Sequence, residues 1–431
     1  MEKVITVGVQ RRQDTDSESQ ASMEELDRLV QTAGGVVAEA HLQKRDRPDP
    51  ATFVGRGKAE ELAARLRDLR AHTLVFDDEL KPGQQHTLEE FTGAKVIDRT
   101  RLILDIFAQR ARTREGQLQV ELAQLEYRLP RMTQKFGRFE QQTGGIGTRG
   151  PGERKLEVDR RRVRDRLALL QKQIEKVRQE RRLQRGVRRS VPVPQVALIG
   201  YTNAGKSTLL NRLMAASALY GSPHHPVYAD DKLFATLDPT TRRVRLPGHD
   251  SARGRTVLFT DTVGFIQKLP TQLVAAFRAT LEEIGAADLL LHVVDGSNED
   301  WRRQESAVHE IVKQLHLAKL PVITAYNKMD RLSAKQAAVF GGPSGIPVSA
   351  STGWNVAALL KAVEDQLAGQ WIERDLWLTF SEGSRLSQLH ETMDVLSQET
   401  TEKGIRLRVR THPATLAQWN HRPNASPSDD R

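Results

Sequence analysis

Cysteine is absent from all 431 residues. That excludes disulfides, thiolate metal sites and cysteine nucleophiles, and it fits a cytosolic chain. No stretch stays apolar for the ~20 residues a membrane-spanning helix needs, and the N-terminus has no charged-then-apolar secretion signal. Acidic residues are in deficit, 55 against 65 basic ones, giving a formal charge of +10. The deficit is local. Between Arg154 and Arg189 fifteen Lys/Arg face five Asp/Glu, so the rest of the chain is balanced. A concentrated basic element fits a polyanionic partner; a merely solvated helix surface is the plain alternative.

The length allows two or three domains, each with its own core. Residues 3–9 read as a strand, followed by a polar loop over 11–21 and a helix to about Ala33. Ser22 with Glu25 three residues on predicts its capping box. Strands near 35–42, 73–77 and 95–97 then alternate with helices near 57–69, 82–91 and 99–112, which predicts a small α/β domain over 1–112. A different pattern follows in 113–189. Leu118, Leu122, Leu125 and Leu129, then Val163, Leu167, Leu170, Ile174 and Val177, form two stripes at heptad-like spacing. They predict an antiparallel helical hairpin packed along those stripes. Its tip, 137–152, holds six glycines, which break helices. A second α/β region is expected over 190–368. A small C-terminal α/β domain (369–419) is read as strand 375–380, helix 384–398 and strand 404–410, before a Pro/Ser/Asp-rich tail at 420–431 expected to be disordered.

The chemistry lies in 195–368. An apolar strand, Gln195–Ile199, runs into Gly200-Tyr201-Thr202-Asn203-Ala204-Gly205-Lys206-Ser207-Thr208, a phosphate-binding loop in the required strand–loop–helix setting. Its glycines let backbone N–H groups turn toward phosphate oxygens, and the following helix adds its positive end. Lys206 would neutralise the β/γ-phosphates and Ser207 would ligate Mg²⁺. A second strand ends in Asp261-Thr262-Val263-Gly264, where Asp261 holds Mg²⁺ through water and the Gly264 N–H senses the γ-phosphate. A third ends in Asn327-Lys328-Met329-Asp330; the Asp330 carboxylate can accept both guanine N1–H and N2–H, which adenine cannot supply together. Ser349-Ala350-Ser351 presents a backbone N–H for guanine O6. Four strand-end motifs in this order imply GTP and GDP as ligands. Between the first two lies Phe234-Ala235-Thr236-Leu237-Asp238, with Thr236 the candidate switch ligand to Mg²⁺ and Thr240 and Thr241 as rivals. Lys206, Thr236, Asp261 and Gly264 form the expected catalytic set. Phe265 occupies the place where Ras-like enzymes carry a water-orienting Gln, and a phenyl ring cannot hydrogen-bond water, so slow unassisted hydrolysis is expected.

The chain resembles the HflX family of translational GTPases over nearly its whole length. The resemblance rests on Gly200–Ser207, Phe234–Pro239 and Asp261–Ile266, and outside them on Gly144–Glu153 and Leu156–Arg161. It implies a factor that binds the large ribosomal subunit and its RNA and splits or rescues stalled ribosomes, cytoplasmic and monomeric on its target. It also implies Thr236 as the Mg²⁺ ligand and Asn203 as a candidate K⁺ contact. Arg149, Arg154, Lys155, Arg160 and Arg161 are then the candidate RNA contacts. Two features depart from the family pattern: Arg154-Lys155 follows the tip glutamate, and the loop at 221–232 is longer than usual. Two other readings compete. One makes the N-terminal domain an RNA-remodelling module with a second nucleotide site at Val54–Lys58, a loop lacking the P-loop spacer and Ser/Thr. The other is a peripheral membrane GTPase using the basic helix on anionic lipid, although aromatic anchors are missing there.

Overall fold

The computed structural model describes residues 1–132, 151–188, 193–218, 233–234, 239–246, 256–268, 284–315, 317–340, 345–369, 372–382, 385–386, 389–390, 393–401, 404–411, 416 and 419. Residues 137–150 of the expected glycine-rich tip and the expected tail fall outside these residues. The chain divides into two compact units, one of 1–177 with 229–238 and 263–281, the other of 178–228, 239–262 and 282–431.

The first unit holds four parallel strands in the order β2-β1-β3-β4, namely β1 (Lys3–Gln10), β2 (Val36–Lys44), β3 (Thr73–Phe76) and β4 (Lys95–Asp98). Helices α1 (Asp16–Thr32), α2 (Arg56–Leu69), α3 (Pro82–Thr92) and α4 (Arg99–Arg110) alternate with them. Ile5, Val7, Leu62, Leu74, Phe76 and Leu88 belong to its apolar core. The expected elements appear with shifted ends, apart from one start signal. Thr15 caps α1, its hydroxyl accepting from the Glu18 N–H at 3.2 Å while Glu18 accepts from the Thr15 N–H at 2.9 Å. The expected cap, Ser22, sits inside the helix and donates to the buried Asp77 carboxylate at 2.7 Å. Both Thr15-x-x-Glu18 and Ser22-x-x-Glu25 satisfy the capping pattern, and the upstream one lets the helix bury Ser19 and Ser22 as well as Met23, Leu26 and Leu29.

Helices α5 (Arg114–Arg131) and α6 (Pro151–Arg188) follow. Arg166 on α6 meets Glu121 on α5 through two parallel bonds of 2.8 and 2.9 Å. On α6 the expected stripe is partly deep, with Leu170 and Ile174 buried. On α5 it is not: Leu118, Leu122, Leu125 and Leu129 are half-buried, and the buried positions are Glu115, Gly116, Gln119, Val120, Ala123 and Tyr127. The reason is polar anchoring. The Tyr127 hydroxyl donates to Asp98 at 2.9 Å, and Arg131 reaches Asp98 at 3.2 Å and the Leu80 carbonyl at 2.8 Å, fixing which face turns inward.

The second unit contains a six-stranded sheet ordered β10-β9-β8-β5-β7-β6, parallel except for the antiparallel pair β6–β7. Its strands are β5 (Gln195–Gly200), β6 (Thr240–Arg245), β7 (Thr256–Asp261), β8 (Leu289–Asp295), β9 (Val322–Asn327) and β10 (Ile346–Pro347). Helices α7 (Lys206–Ala218), α8 (Trp301–Gln314), the single turn α9 (Ala334–Ala337) and α10 (Val356–Ala368) connect them. Leu289, Leu291 and Val293 point into a core shared with α7 and α10, while the alternate residues of β8 face α8. Strand order reverses at β5, which opens a crevice at its carboxyl end, the usual ligand position in such sheets.

Toward the C-terminus, β11 (Ile372–Leu378), β12 (Asp394–Thr401) and β13 (Gly404–Thr411) form an antiparallel sheet ordered β11-β13-β12. The expected helix over 384–398 is therefore wrong in its second half. β12 pairs along an edge of β13, with a register shift between Val395 and Ser397, and tertiary pairing overrides the helical reading of that run.

Candidate functional site

Two glycines explain the phosphate loop's shape. Gly205 has φ +90° and Gly200 φ +149°; a Cβ at Gly205 would collide with the Asn327 amide and one at Gly200 with the Val293 carbonyl. At the loop's end Lys206 is buried, its ammonium donating to the carbonyls of Gly200 (3.2 Å) and Tyr201 (2.9 Å). Burial pushes this lysine down to about 8, with the Asp261 carboxylate pulling the other way. An anionic phosphate at the loop therefore favours its protonated form. The Ser207 hydroxyl donates to Asp261 Oδ2 at 2.6 Å, so an oxygen group at the start of α7 and one at the end of β7 converge. Thr262 turns its hydroxyl to the Leu198 carbonyl at 2.6 Å, tying the end of β7 to β5.

The base-side loops are braced by one side chain. Asn327 donates to the Ala204 carbonyl at 2.9 Å, and its Oδ1 accepts from the Ala350 N–H at 2.9 Å, so it joins the phosphate loop to Ser349-Ala350-Ser351. Lys328 adopts φ +64° and its ammonium contacts Asp295 at the end of β8 at 2.7 Å. Asp330 accepts from the Ser349 hydroxyl at 2.6 Å, the main cause of its lowered pKa. Gly200 to Ser207, Asp261-Thr262, Asn327 to Asp330 and Ser349 to Ser351 thus lie in one unit at the carboxyl ends of its strands.

Sequence profiles described as "GTP-binding GTPase N-terminal", "GTP-binding GTPase Middle Region" and "50S ribosome-binding GTPase" match residues 20–108, 110–188 and 195–328. The GTPase HflX of Lacrimispora saccharolytica is 43% identical over 407 residues, 94% of this chain and 92% of that protein. That of Escherichia coli K12 is 40% identical over 414 residues, 95% and 93% of the two chains. The chain belongs to the HflX GTPase family. It is a GTP-hydrolysing enzyme with an α/β P-loop fold. A solved GTP-binding protein of Sulfolobus solfataricus in complex with GDP is 22% identical and covers 86% of this chain and 99% of that one, at a TM-score of 0.43.

In this HflX-family chain residues 229–238 and 263–281 group with the N-terminal unit. Phe234 is buried at φ +55° with its ring edge-on to Phe107 of α4, centroids 4.6 Å apart. Phe265 and Ile266 are buried as well. The Lys268 ammonium bonds Asp77 and lies 3.1 Å from Asp78, just beyond β3. Asp77 also accepts from Arg99 (2.7 Å) and Ser22 (2.7 Å), and Arg99 continues to Glu25. Burial drives Asp77 upward while Lys268 opposes it.

Ala235, Thr236, Leu237 and Asp238 lie outside the described residues, as does Arg149; the side chains of Arg154 and Lys155 are likewise undescribed. Arg160 is half-buried and Arg161 exposed on α6. Sequence reading missed the bracing role of Asn327, the Lys328–Asp295 pair, and Arg212, whose guanidinium donates to the carbonyls of Ala350 and Ser351. An Asp at the end of β8 was a usable signal. Arg212 on α7 carried none.

Among the described residues no helix is long and apolar enough to cross a membrane. Gly55, within the loop weighed as a second nucleotide site, has φ +88° and directly precedes α2 as its N-cap residue.

Proposed function

We propose that GTP binding gates association of this chain with the large ribosomal subunit, so that it splits or rescues stalled ribosomes. One observation carries the reading. The stretch directly after Gly264 is held by Asp77 and Asp78 of the N-terminal unit, which also carries α5 and most of α6. A shift of Gly264 toward a γ-phosphate would pull on Lys268 and reach the elements bearing the basic hairpin. Support for the ribosome as target comes from the profile naming 50S binding over 195–328 and from the basic run over 154–189. Arg149, Arg154, Lys155, Arg160 and Arg161 are the proposed RNA contacts, recognising shape and backbone charge.

In the proposed site Lys206 neutralises the β/γ-phosphates, the loop's N–H groups cradle them, and Asp330 selects guanine. The convergence of Ser207 and Asp261, both hard oxygen donors, suits Mg²⁺. Ser207 with Thr236 would hold the ion directly, and Asp261 through water. When bound, the ion withdraws charge from the phosphoryl group during transfer. Asn203, at φ +59°, is the proposed K⁺ contact on the family pattern. No Gln follows Gly264, and the buried Phe265 offers no hydrogen bond to the attacking water.

Unassisted turnover should accordingly be slow. Purified large subunits are expected to raise it by at least about 10-fold through ordering of the site, while small subunits leave it unchanged. A steady-state phosphate-release assay reads both. Equal turnover with and without large subunits would remove the ribosome from the account.

A further inference from the structure

A second cluster of ligating side chains stands apart from the nucleotide loops, across β8 and α8. His292 lies inside β8 and is 1% exposed. Glu305 and His309 stand four residues apart on α8, which places both on one helix face. One donor atom from each of the three lies within 4.8 Å of the others. The two imidazoles meet edge-on with centroids 5.3 Å apart.

Packing alone is a poor account of His292. Its neighbours along the strand, Leu290, Leu291, Val293 and Val294, fill the same layers without polar atoms. The imidazole instead carries a buried Nδ1 with no hydrogen-bond partner. Leaving such an atom unsatisfied costs about 1–3 kcal/mol, and such atoms are rare in native interiors. Burial, with His309 and Lys206 adding to it, pushes the ring down to about 3, so it is neutral and keeps a lone pair at physiological pH. The Glu305 carboxylate is already oriented: the Tyr326 hydroxyl donates to it at 3.2 Å.

We infer that His292, Glu305 and His309 form a binding site for a transition-metal dication of the Zn²⁺ type. Two imidazole nitrogens and one carboxylate oxygen are a His₂Glu set, which leaves a fourth position to water. Nitrogen donors separate it chemically from the all-oxygen Mg²⁺ position at Ser207 and Asp261. Glu305 and His309 reach solvent, so the ion has an entry path. Occupancy would clip α8 to β8 and, through Tyr326, to the end of β9 beside Asn327. β8 itself ends at Asp295, the partner of Lys328. The metal would therefore stiffen the floor under the guanine loop.

The test uses untagged full-length protein with GDP and Mg²⁺, stripped of other metals by a chelator. Zn²⁺ is titrated against a chromogenic chelator, and Co²⁺ is added separately to read its visible absorption. Wild type and a His224→Ala/His225→Ala control are expected to bind one tight equivalent and to show the Co²⁺ bands. His309→Ala and Glu305→Gln, both at the helix surface, should bind more than about 100-fold more weakly, since loss even of a ligand's supporting partner costs roughly 10–100-fold. Metal-free wild type and His309→Ala should melt alike, with Zn²⁺ raising the melting temperature of wild type alone. Zn²⁺ binding or a Zn²⁺-induced melting shift equal in wild type and His309→Ala would overturn the site, as would a wild type that cannot compete with the chelator.

Discussion

Asp330→Asn is expected to weaken GTP binding by roughly 1,000-fold, because a site built to accept two donors then presents an amide N–H₂ to one of them. The same change should favour xanthosine triphosphate, whose ring offers an acceptor where guanine has its amino group. The local fold tolerates the substitution. Ser349 donates to Asp330 Oδ1 at 2.6 Å, and an Asn oxygen still accepts that bond. Displacement of a fluorescent guanine nucleotide by GTP and by xanthosine triphosphate measures both arms. Unchanged selectivity would mean that base recognition lies elsewhere.

Asn327→Ala should damage stability and binding together. The side chain makes two bonds of 2.9 Å, to the Ala204 carbonyl and from the Ala350 N–H, and all three residues are buried. Truncation strands both backbone groups, at about 1–3 kcal/mol each. At about 2–4 °C per kcal/mol for a domain of this size, the combined loss of about 2–6 kcal/mol should lower the melting temperature by roughly 4–24 °C. Nucleotide binding should suffer beyond that, since the phosphate loop and the Ser349–Ser351 loop lose their common brace. GDP should then protect the variant far less than wild type in a thermal melt. A variant that melts within about 2 °C of wild type and keeps its GDP shift would show the brace to be dispensable.

The two residues differ in how they could be read. Asp330 could be proposed from the sequence because guanine's paired donors call for a carboxylate at a strand end. Asn327 belonged to the same motif, yet its work is between loops, and only the folded chain brings Ala204 and Ala350 to it. Gly200, Gly205, Lys206 and Ser207 were legible together because backbone shape, charge and metal affinity each constrain their spacing. The alternating strands and helices of the first 110 residues followed from periodicity. Errors arose where two local signals were equivalent or where packing decided. Thr15 and Ser22 both carry a Glu three residues on, and the number of side chains α1 could bury chose between them. The α5 leucines are regularly spaced, but Tyr127 and Arg131 turn another face inward through Asp98. Asp394–Thr401 reads locally as helix end, and pairing with β13 makes it a strand. The Lys268 contact with Asp77 spans 191 residues of sequence, beyond the reach of any local pattern.

That long-range contact ties the stretch after Gly264 to the unit that carries α5 and most of α6. In the proposed switch the γ-phosphate, read at Gly264, controls what the basic hairpin can bind. Sedimentation of the full-length chain with ribosomal subunits, loaded in turn with GDP, GTP and a non-hydrolysable GTP analogue, tests it directly. The expected result is co-migration with large subunits in the GTP-analogue state, weak association with GDP, and loss of the analogue-dependent association on deletion of residues 144–152. Equal co-migration in the GDP and analogue states would contradict it, because a nucleotide without differential affinity for two states gates nothing.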